Sequence, residues 1–174
     1  MAMLKSGRNK LSLMIRAELC RIDFRCVIAG ALIVLACGIL SALAAGPTVA
    51  YYELVKPRFA PPRFLFPIVW TILYLLMGYA SYRIWTSDAP GTDKRGALLL
   101  YGAQLLANFI WPLLFFGGEM FLAALIWLVF LWILIFLSIR AFSKIDERAG
   151  DLLIPYILWV TFAAYLNLGI YLLN

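Results

Sequence analysis

The sequence contains no histidine and little charge, and both shortages narrow the classes of function. Only 14% of the 174 residues are charged and 65% are apolar, whereas a soluble domain carries roughly a quarter charged residues. Without histidine the chain lacks the most frequent general base and neutral metal ligand. Its three cysteines are too few for a disulfide framework or a four-ligand zinc site. These shortages argue against a soluble domain and favour a membrane protein with no metal site.

Long apolar runs alternate with short charged segments along the chain. A helix crosses a bilayer core with roughly 20 apolar residues. Five uncharged runs approach or exceed that length: 27–46, 64–82, 97–118, 120–139 and 152–174. The predicted fold class is an all-α membrane protein, a five-transmembrane-helix bundle. This predicted transmembrane domain covers residues 26–174, and a basic amphipathic extension covers residues 1–25.

The distribution of lysine and arginine predicts the orientation of the bundle. With the N-terminus in the cytoplasm, twelve Lys and Arg side chains lie inside and three lie outside. The positive-inside rule therefore predicts a cytoplasmic N-terminus and an external C-terminus. Topology also accounts for the net charge of +6, so we expect no nucleic-acid partner. The odd number of cysteines and the lack of a convincing secretory signal fit a bacterial plasma membrane.

The N-terminal region leaves alternatives open. Ala42-Leu43-Ala44 has the small-x-small form of a signal cleavage site. Cleavage would leave four spans, but the preceding apolar run is longer than a usual signal, so we favour a retained first span. Apolar side chains recur at helical spacing between residues 11 and 22, which is typical of a helix on the inner membrane surface. A plain basic extension that only sets topology fits equally well.

The polar side chains at membrane depth gather on the third predicted span. No Asp, Glu, Lys or Arg lies well inside any span, which argues against ion-coupled pumps. Gln104 and Asn108 are four residues apart and precede Pro112. Since proline has no N–H, we expect a kink and a free carbonyl at residue 108. Two interpretations are equally supported, namely polar links between helices and a face that lines a ligand.

Most of the tryptophans lie deeper than the interfacial belts where membrane tryptophans concentrate. Trp85 fits such a belt. Two deeper rings are expected to pack against lipid, Trp127 and Trp132. Three others are candidates to wall a cavity for a flat, apolar ligand: Trp70, Trp111 and Trp159.

The loop between the first two spans combines proline, aromatic and basic side chains. Prolines between residues 47 and 62 make it stiff and extended. Its cations are Lys56, Arg58 and Arg63. Such a loop suits a lid over the mouth of the bundle, and a plain ordered connector is the alternative.

Three segments together resemble the TspO/MBR family of tryptophan-rich sensory and translocator proteins. They are KPRFAPP with FPIVWT at 56–71, QLLANFIWP at 104–112, and PY, W, FA and LN within 155–167. The matches come in family order over residues 27–174. The chain departs from the family at Phe59, where tryptophan is frequent. No Lys or Arg follows Tyr165, so the sterol-recognition pattern of animal members is incomplete.

The resemblance implies a five-helix bundle, usually a homodimer, that binds porphyrins and other hydrophobic aromatic ligands. It implies a pocket beneath the first loop, lined by Tyr51, Trp70, Tyr74, Asn108, Trp111, Trp159 and Ala163. It also implies that Trp70 and Trp159 correspond to the tryptophans implicated in porphyrin photodegradation. We expect a cation among Lys56, Arg58 and Arg63 to meet the porphyrin propionates.

Three functions remain open at this point. The first is binding or transport of porphyrin within the membrane, with a sensory or regulatory role. Because histidine is absent and Cys37 is the only cysteine in a span, no axial ligand for haem iron is evident. We therefore expect metal-free porphyrin as ligand and no cofactor. The alternatives are light- and oxygen-dependent porphyrin degradation, and a regulatory scaffold whose basic N-terminal helix docks a partner.

Overall fold

A computed structural model of the chain describes residues 54–62 and 64–174. Within them every regular element is helical. The elements are α1 (Leu65–Thr86), α2 (Gly91–Pro112), a π-helical turn (Leu113–Gly117), α3 (Phe121–Ile145), α4 (Glu147–Asp151) and α5 (Ile154–Leu173). The predicted first span at 27–46 and the extension at 1–25 lie outside the described residues.

Four helical segments of the described chain are long and apolar enough to cross a membrane. They are Leu65–Thr86, Gly91–Gly117, Phe121–Ile145 and Glu147–Leu173. They coincide with the last four predicted spans, so those predictions are confirmed. The described part of the chain is all-helical, and the protein is a multi-pass membrane protein.

The helices extend beyond the uncharged runs that predicted them, and the predicted bounds are wrong in this respect. α1 continues past Arg83 to Thr86, and α2 begins at Gly91 and so includes Lys94 and Arg95. α3 likewise continues to Ile145. The hydropathy of a run marks only the part of a helix inside the hydrocarbon. The helical hydrogen bonds continue into the headgroup region, where charged side chains reach water.

The core lies where α3 packs against α2 on one side and α5 on the other, with α1 in contact with α2 and α4. The largest side chains in it are fully buried, among them Met77, Leu131, Phe142 and Tyr156. Many large apolar side chains lie on the outer surface instead, such as Ile126, which is 64% exposed. An apolar surface of this extent is expected where lipid replaces water as solvent.

An ion pair joins α1 to the corner between α3 and α4. Nε of Arg83 donates to Oδ2 of Asp146 over 2.7 Å. The other carboxylate oxygen of Asp146 accepts from the backbone N–H of Arg148 at 3.0 Å and caps α4. The Asp146 carboxylate therefore caps the start of α4 and also binds the end of α1.

The predicted disturbance at Pro112 takes the form of a π-helical turn directly after α2. The backbone N–H of Gly118 donates to the carbonyl of Leu113 at 2.9 Å, and that of Met120 donates to Leu114 at 3.0 Å. These bonds are wider than the α-helical register, which is how a π turn accommodates an interrupted ladder. Phe115 is buried within this turn.

Candidate ligand-binding site

A series of aromatic rings connects α1 to α5. The ring centroids of Trp70 and Tyr74 are 5.3 Å apart, and those of Trp70 and Tyr156 are 6.2 Å apart in an edge-on arrangement. Phe66 meets Trp159 edge-on at 5.9 Å. Positions 66, 70 and 74 are four residues apart and share one face of α1. The structure therefore brings together two tryptophans that are far apart in sequence.

The α5 side of this series continues along one helix face. Trp159 lies 5.6 Å from Phe162. Trp159 and Ala163 are four residues apart, and both pack against the main core while staying partly exposed. Of the site residues predicted from the sequence, four line this α1–α5 series: Trp70, Tyr74, Trp159 and Ala163.

Trp111 belongs to a second aromatic group at the end of α2. Its ring stacks on Phe115 at 5.1 Å and meets Phe116 edge-on at 5.9 Å. It borders the same core as the α1–α5 series and also a smaller cluster that contains Ile170. Asn108, one turn earlier on α2, is buried. Trp111 and Asn108 thus adjoin the common core. The aromatic rings that Trp111 contacts, however, belong to the π-helical turn after α2 and not to α1 or α5.

Polar atoms without a hydrogen-bond partner lie inside the bundle. Gln104 is 1% exposed, and neither its amide nitrogen nor its amide oxygen has a partner among residues 54–62 and 64–174. The same holds for the hydroxyl of Tyr156 and the indole nitrogen of Trp111. A buried polar group left unsatisfied costs about 1–3 kcal/mol.

Asn167 and Gln104 differ in the hydrogen bonds that they make within the described residues. Asn167 donates to the backbone carbonyl of Phe121 at 3.2 Å and so links α5 to the start of α3. Gln104 makes no such link within the described part of the chain. The sequence reasoning singled out Gln104 but missed Tyr156, whose only signal was its place in the third family-like segment.

The described part of the first loop is bound to the end of α5. The Asn174 side chain accepts from the backbone N–H of Val55 at 3.0 Å and donates to the carbonyl of Val55 at 3.1 Å. Pro57 lies directly over Gly169. The loop therefore packs on the same helix that carries Trp159, which fits both a lid and an ordered connector.

Two of the three loop cations predicted to meet a ligand are described. Lys56 and Arg58 are both exposed, and the guanidinium carbon of Arg58 lies 5.9 Å from the ring centroid of Phe59. Two predicted site residues, Tyr51 and Arg63, lie outside the described residues.

Trp127 and Trp132 differ in their surroundings. Trp132 is 37% exposed, and its indole N–H donates to the Thr161 hydroxyl at 2.9 Å. Trp127 is half-buried against the core, and its indole N–H donates to the carbonyl of Ala107 at 2.8 Å. The sequence predicts that Trp127 packs against lipid; the residue is partly exposed, and it also packs on the core and is hydrogen-bonded to α2.

The site offers flat apolar surface, a few hydrogen-bonding groups and exposed cations at one end. No group of three or more His, Cys, Asp or Glu side chains that would hold a metal ion occurs among the described residues. The arrangement suits binding of a planar apolar molecule that carries polar groups at its edge.

Known proteins resemble this chain over most of its length. The sequence model of the TspO/MBR family matches residues 30–173. A tryptophan-rich protein TspO of Chlorobaculum tepidum is 42% identical over 71% of this chain and 78% of its own length. A tryptophan-rich protein TspO of Archaeoglobus fulgidus is 37% identical over 85% and 96%, respectively. The translocator protein of Ovis aries is 38% identical over 67% and 70%. The chain therefore belongs to the TspO/MBR family.

Proposed function

We propose that this protein binds porphyrins and similar flat hydrophobic molecules within the membrane, and transports or senses them. The observation that carries the proposal is the series of rings on two helices, with Phe66, Trp70 and Tyr74 on α1 and Tyr156 and Trp159 on α5. The names of relatives, a tryptophan-rich sensory protein of Cereibacter sphaeroides and translocator proteins of mammals, support the same direction.

Each part of a porphyrin has a counterpart among the residues of the site. The indole rings of Trp70 and Trp159 contact the macrocycle, and each aromatic contact contributes about 0.5–1.5 kcal/mol beyond the burial of area. The amide of Gln104 or Asn108 supplies an orienting hydrogen bond. The exposed cations of the first loop pair with the propionates. Since the sequence has no histidine, the proposed ligand is a metal-free porphyrin.

The test compares protoporphyrin binding by the parent protein and by a Trp70→Ala/Trp159→Ala variant in detergent. Binding is read from the absorbance of the porphyrin, because removal of tryptophan also removes protein fluorescence. We expect affinity to fall about fivefold or more, because two aromatic contacts of about 0.5–1.5 kcal/mol each are lost. Trp132→Ala, on the outer surface of α3, is the matched control and should bind as the parent does. Equal affinity in the parent and the double variant would contradict the proposal.

A second candidate function is breakdown of the bound porphyrin in light and air. Ring contacts link Trp159 to Phe66 and Trp70 to Tyr156, and closely spaced rings are suited to donate electrons to an excited ligand. Illumination with protoporphyrin in air should give a new product with the parent protein but not with Trp70→Phe/Trp159→Phe. The same product mixture from both proteins would reject catalysis by these side chains.

We further propose a homodimer in a bacterial plasma membrane, with the N-terminus in the cytoplasm. The exposed apolar side chains of α3 leave surface for a second copy as well as for lipid. The molar mass of the protein in detergent, measured by light scattering, tests the dimer.

The regulatory-scaffold alternative predicts that deletion of residues 1–22 abolishes signalling and leaves porphyrin affinity intact.

A further inference from the structure

A groove lies at the end of the bundle opposite the first loop, between the end of α1 and the start of α2. Its volume is about 350 Å³. Its lining consists of Trp85, Gly91, Lys94, Arg95, Leu98 and Leu99. None of these residues belongs to the proposed porphyrin site, so the groove needs its own explanation.

The charge of the groove is positive and is not cancelled by an acid. Nζ of Lys94 donates to the backbone carbonyl of Ser87 at 3.0 Å and lies 3.4 Å from that of Trp85. These neutral acceptors fix the position of the ammonium group. Arg95 is exposed. Among residues 54–62 and 64–174, neither Lys94 nor Arg95 forms an ion pair with a carboxylate.

The acidic residues of the same segment do not form part of the lining. Asp88 and Asp93 flank the groove in sequence, but neither contributes to its wall. Both side chains are exposed. The groove is therefore complementary to an anion, although the segment that builds it contains acids as well as bases.

The polarity of the groove changes along α2. Leu98 and Leu99 each lie four residues after a cation, which is about 6 Å along the helix axis towards the membrane interior. Leu99 is 65% exposed, and Trp85 on the other side of the groove is 71% exposed. An exposed indole at a helix end is typical of the membrane interface. The cations of the groove thus lie at the level of the lipid headgroups, the indole at the interface, and the leucines at the level of the acyl chains.

Other cations lie at the same end of the bundle. The end of α3 and the start of α4 carry Arg140, Lys144 and Arg148 beside the acids Asp146, Glu147 and Asp151, and Arg83 at the end of α1 is paired with Asp146. Basic pockets between helices at a membrane surface bind anionic lipid headgroups, and each cation contributes to that attraction. Lys94 and Arg95, which line the groove and have no carboxylate partner among the described residues, therefore carry the charge complementarity.

We propose that this groove binds one anionic phospholipid. Lys94 and Arg95 contact the phosphate, Trp85 covers the glycerol region, and Leu98 and Leu99 contact the first methylene groups of an acyl chain. The site is separate from the porphyrin site and does not depend on the proposed function.

The test measures lipid retained by the full-length protein after reconstitution in phosphatidylcholine with phosphatidylglycerol. Native mass spectrometry counts the molecules of each lipid that stay bound. We expect Lys94→Gln/Arg95→Gln to lose the preference for phosphatidylglycerol by at least about tenfold, because two surface cations are removed. The matched control is Arg140→Gln/Lys144→Gln, which removes the same charge from exposed positions of α3 and should keep the preference.

Three outcomes would overturn the proposal. The first is an unchanged preference in the Lys94/Arg95 variant, and the second is an equal loss in both double variants, which would mean general surface charge. The third is displacement of the lipid by inorganic phosphate alone, which would indicate an anion site. The Lys94 substitution also removes the hydrogen bond from Nζ to the backbone carbonyl of Ser87, which could alter the local structure. Arg95→Gln alone leaves that bond intact. It should lose part of the preference, and full retention by this variant would also contradict the proposal.

Discussion

Pro57 of the first loop lies so close to Gly169 of α5 that a Cβ on residue 169 would stand 2.7 Å from the Cβ of Pro57. Both groups are rigid, one in a proline ring and the other in a helix backbone. The fit of the loop on α5 therefore depends on the absence of a side chain at position 169. This contact determines how closely the loop covers the helix that carries Trp159.

Gly169→Ala should displace the first loop from α5. The added methyl group cannot be accommodated by rotation of a flexible neighbour, because the atoms that it meets belong to the proline ring. We expect faster proteolytic cleavage of the loop and, under the proposed function, faster release of protoporphyrin. Gly102→Ala is the control, because nothing lies within 4 Å of a Cβ at that position. A loop equally protected in both variants would show that the contact does not hold it.

Asn174→Ala should loosen the loop at its other contact with α5. The substitution removes two hydrogen bonds to the backbone of Val55, and each contributes about 0.5–1.5 kcal/mol. Hydrogen exchange at the Val55 amide should become faster, since its acceptor is lost. Asn174→Gln is a useful comparison, because it keeps the amide but moves it by one methylene group. An unchanged exchange rate of the Val55 amide in Asn174→Ala would show that these two hydrogen bonds do not hold the loop.

The two roles of Asp146 can be separated by substitution. Asp146→Asn keeps a side-chain oxygen that caps α4 but removes the charge that binds Arg83. Asp146→Ala removes both, so it should lower the free energy of unfolding further, by about 1 kcal/mol for the lost cap. Thermal unfolding in detergent measures both effects. Equal melting temperatures of the two variants would show that the cap contributes nothing.

Gln104→Leu should separate stability from ligand binding. Since both polar atoms of the amide are buried without a partner in the described chain, leucine of similar volume removes a desolvation cost of about 1–3 kcal/mol. We expect a melting temperature that is unchanged or raised, together with weaker protoporphyrin binding. Thermal unfolding and porphyrin absorbance measure the two effects. A strongly lowered melting temperature would show that the amide is a structural link.

Four of the predicted spans could be recognised without coordinates, because a run of apolar residues has few other stable environments. The end of α1 and the start of α2 could not be placed, since Arg83 and Arg95 border uncharged runs without bordering a helix. Trp70 and Trp159 were identified as candidates by their depth and by resemblance. The contacts of Trp159 with Phe66 and of Trp70 with Tyr156 depend on how α1 and α5 approach each other, and no local pattern encodes that approach.

The sequence by itself determined that the chain lies in a membrane, how many membrane-spanning segments follow residue 63, and which family it belongs to. These properties depend on local hydrophobicity and on motifs that are continuous in the chain. Only the tertiary structure decided that Gln104 has no hydrogen-bond partner among the described residues while Asn167 links two helices, that Trp127 finds an acceptor on α2, and that a basic groove forms beside Trp85. Each of these depends on the distance between side chains of different helices, which packing sets after the helices have formed.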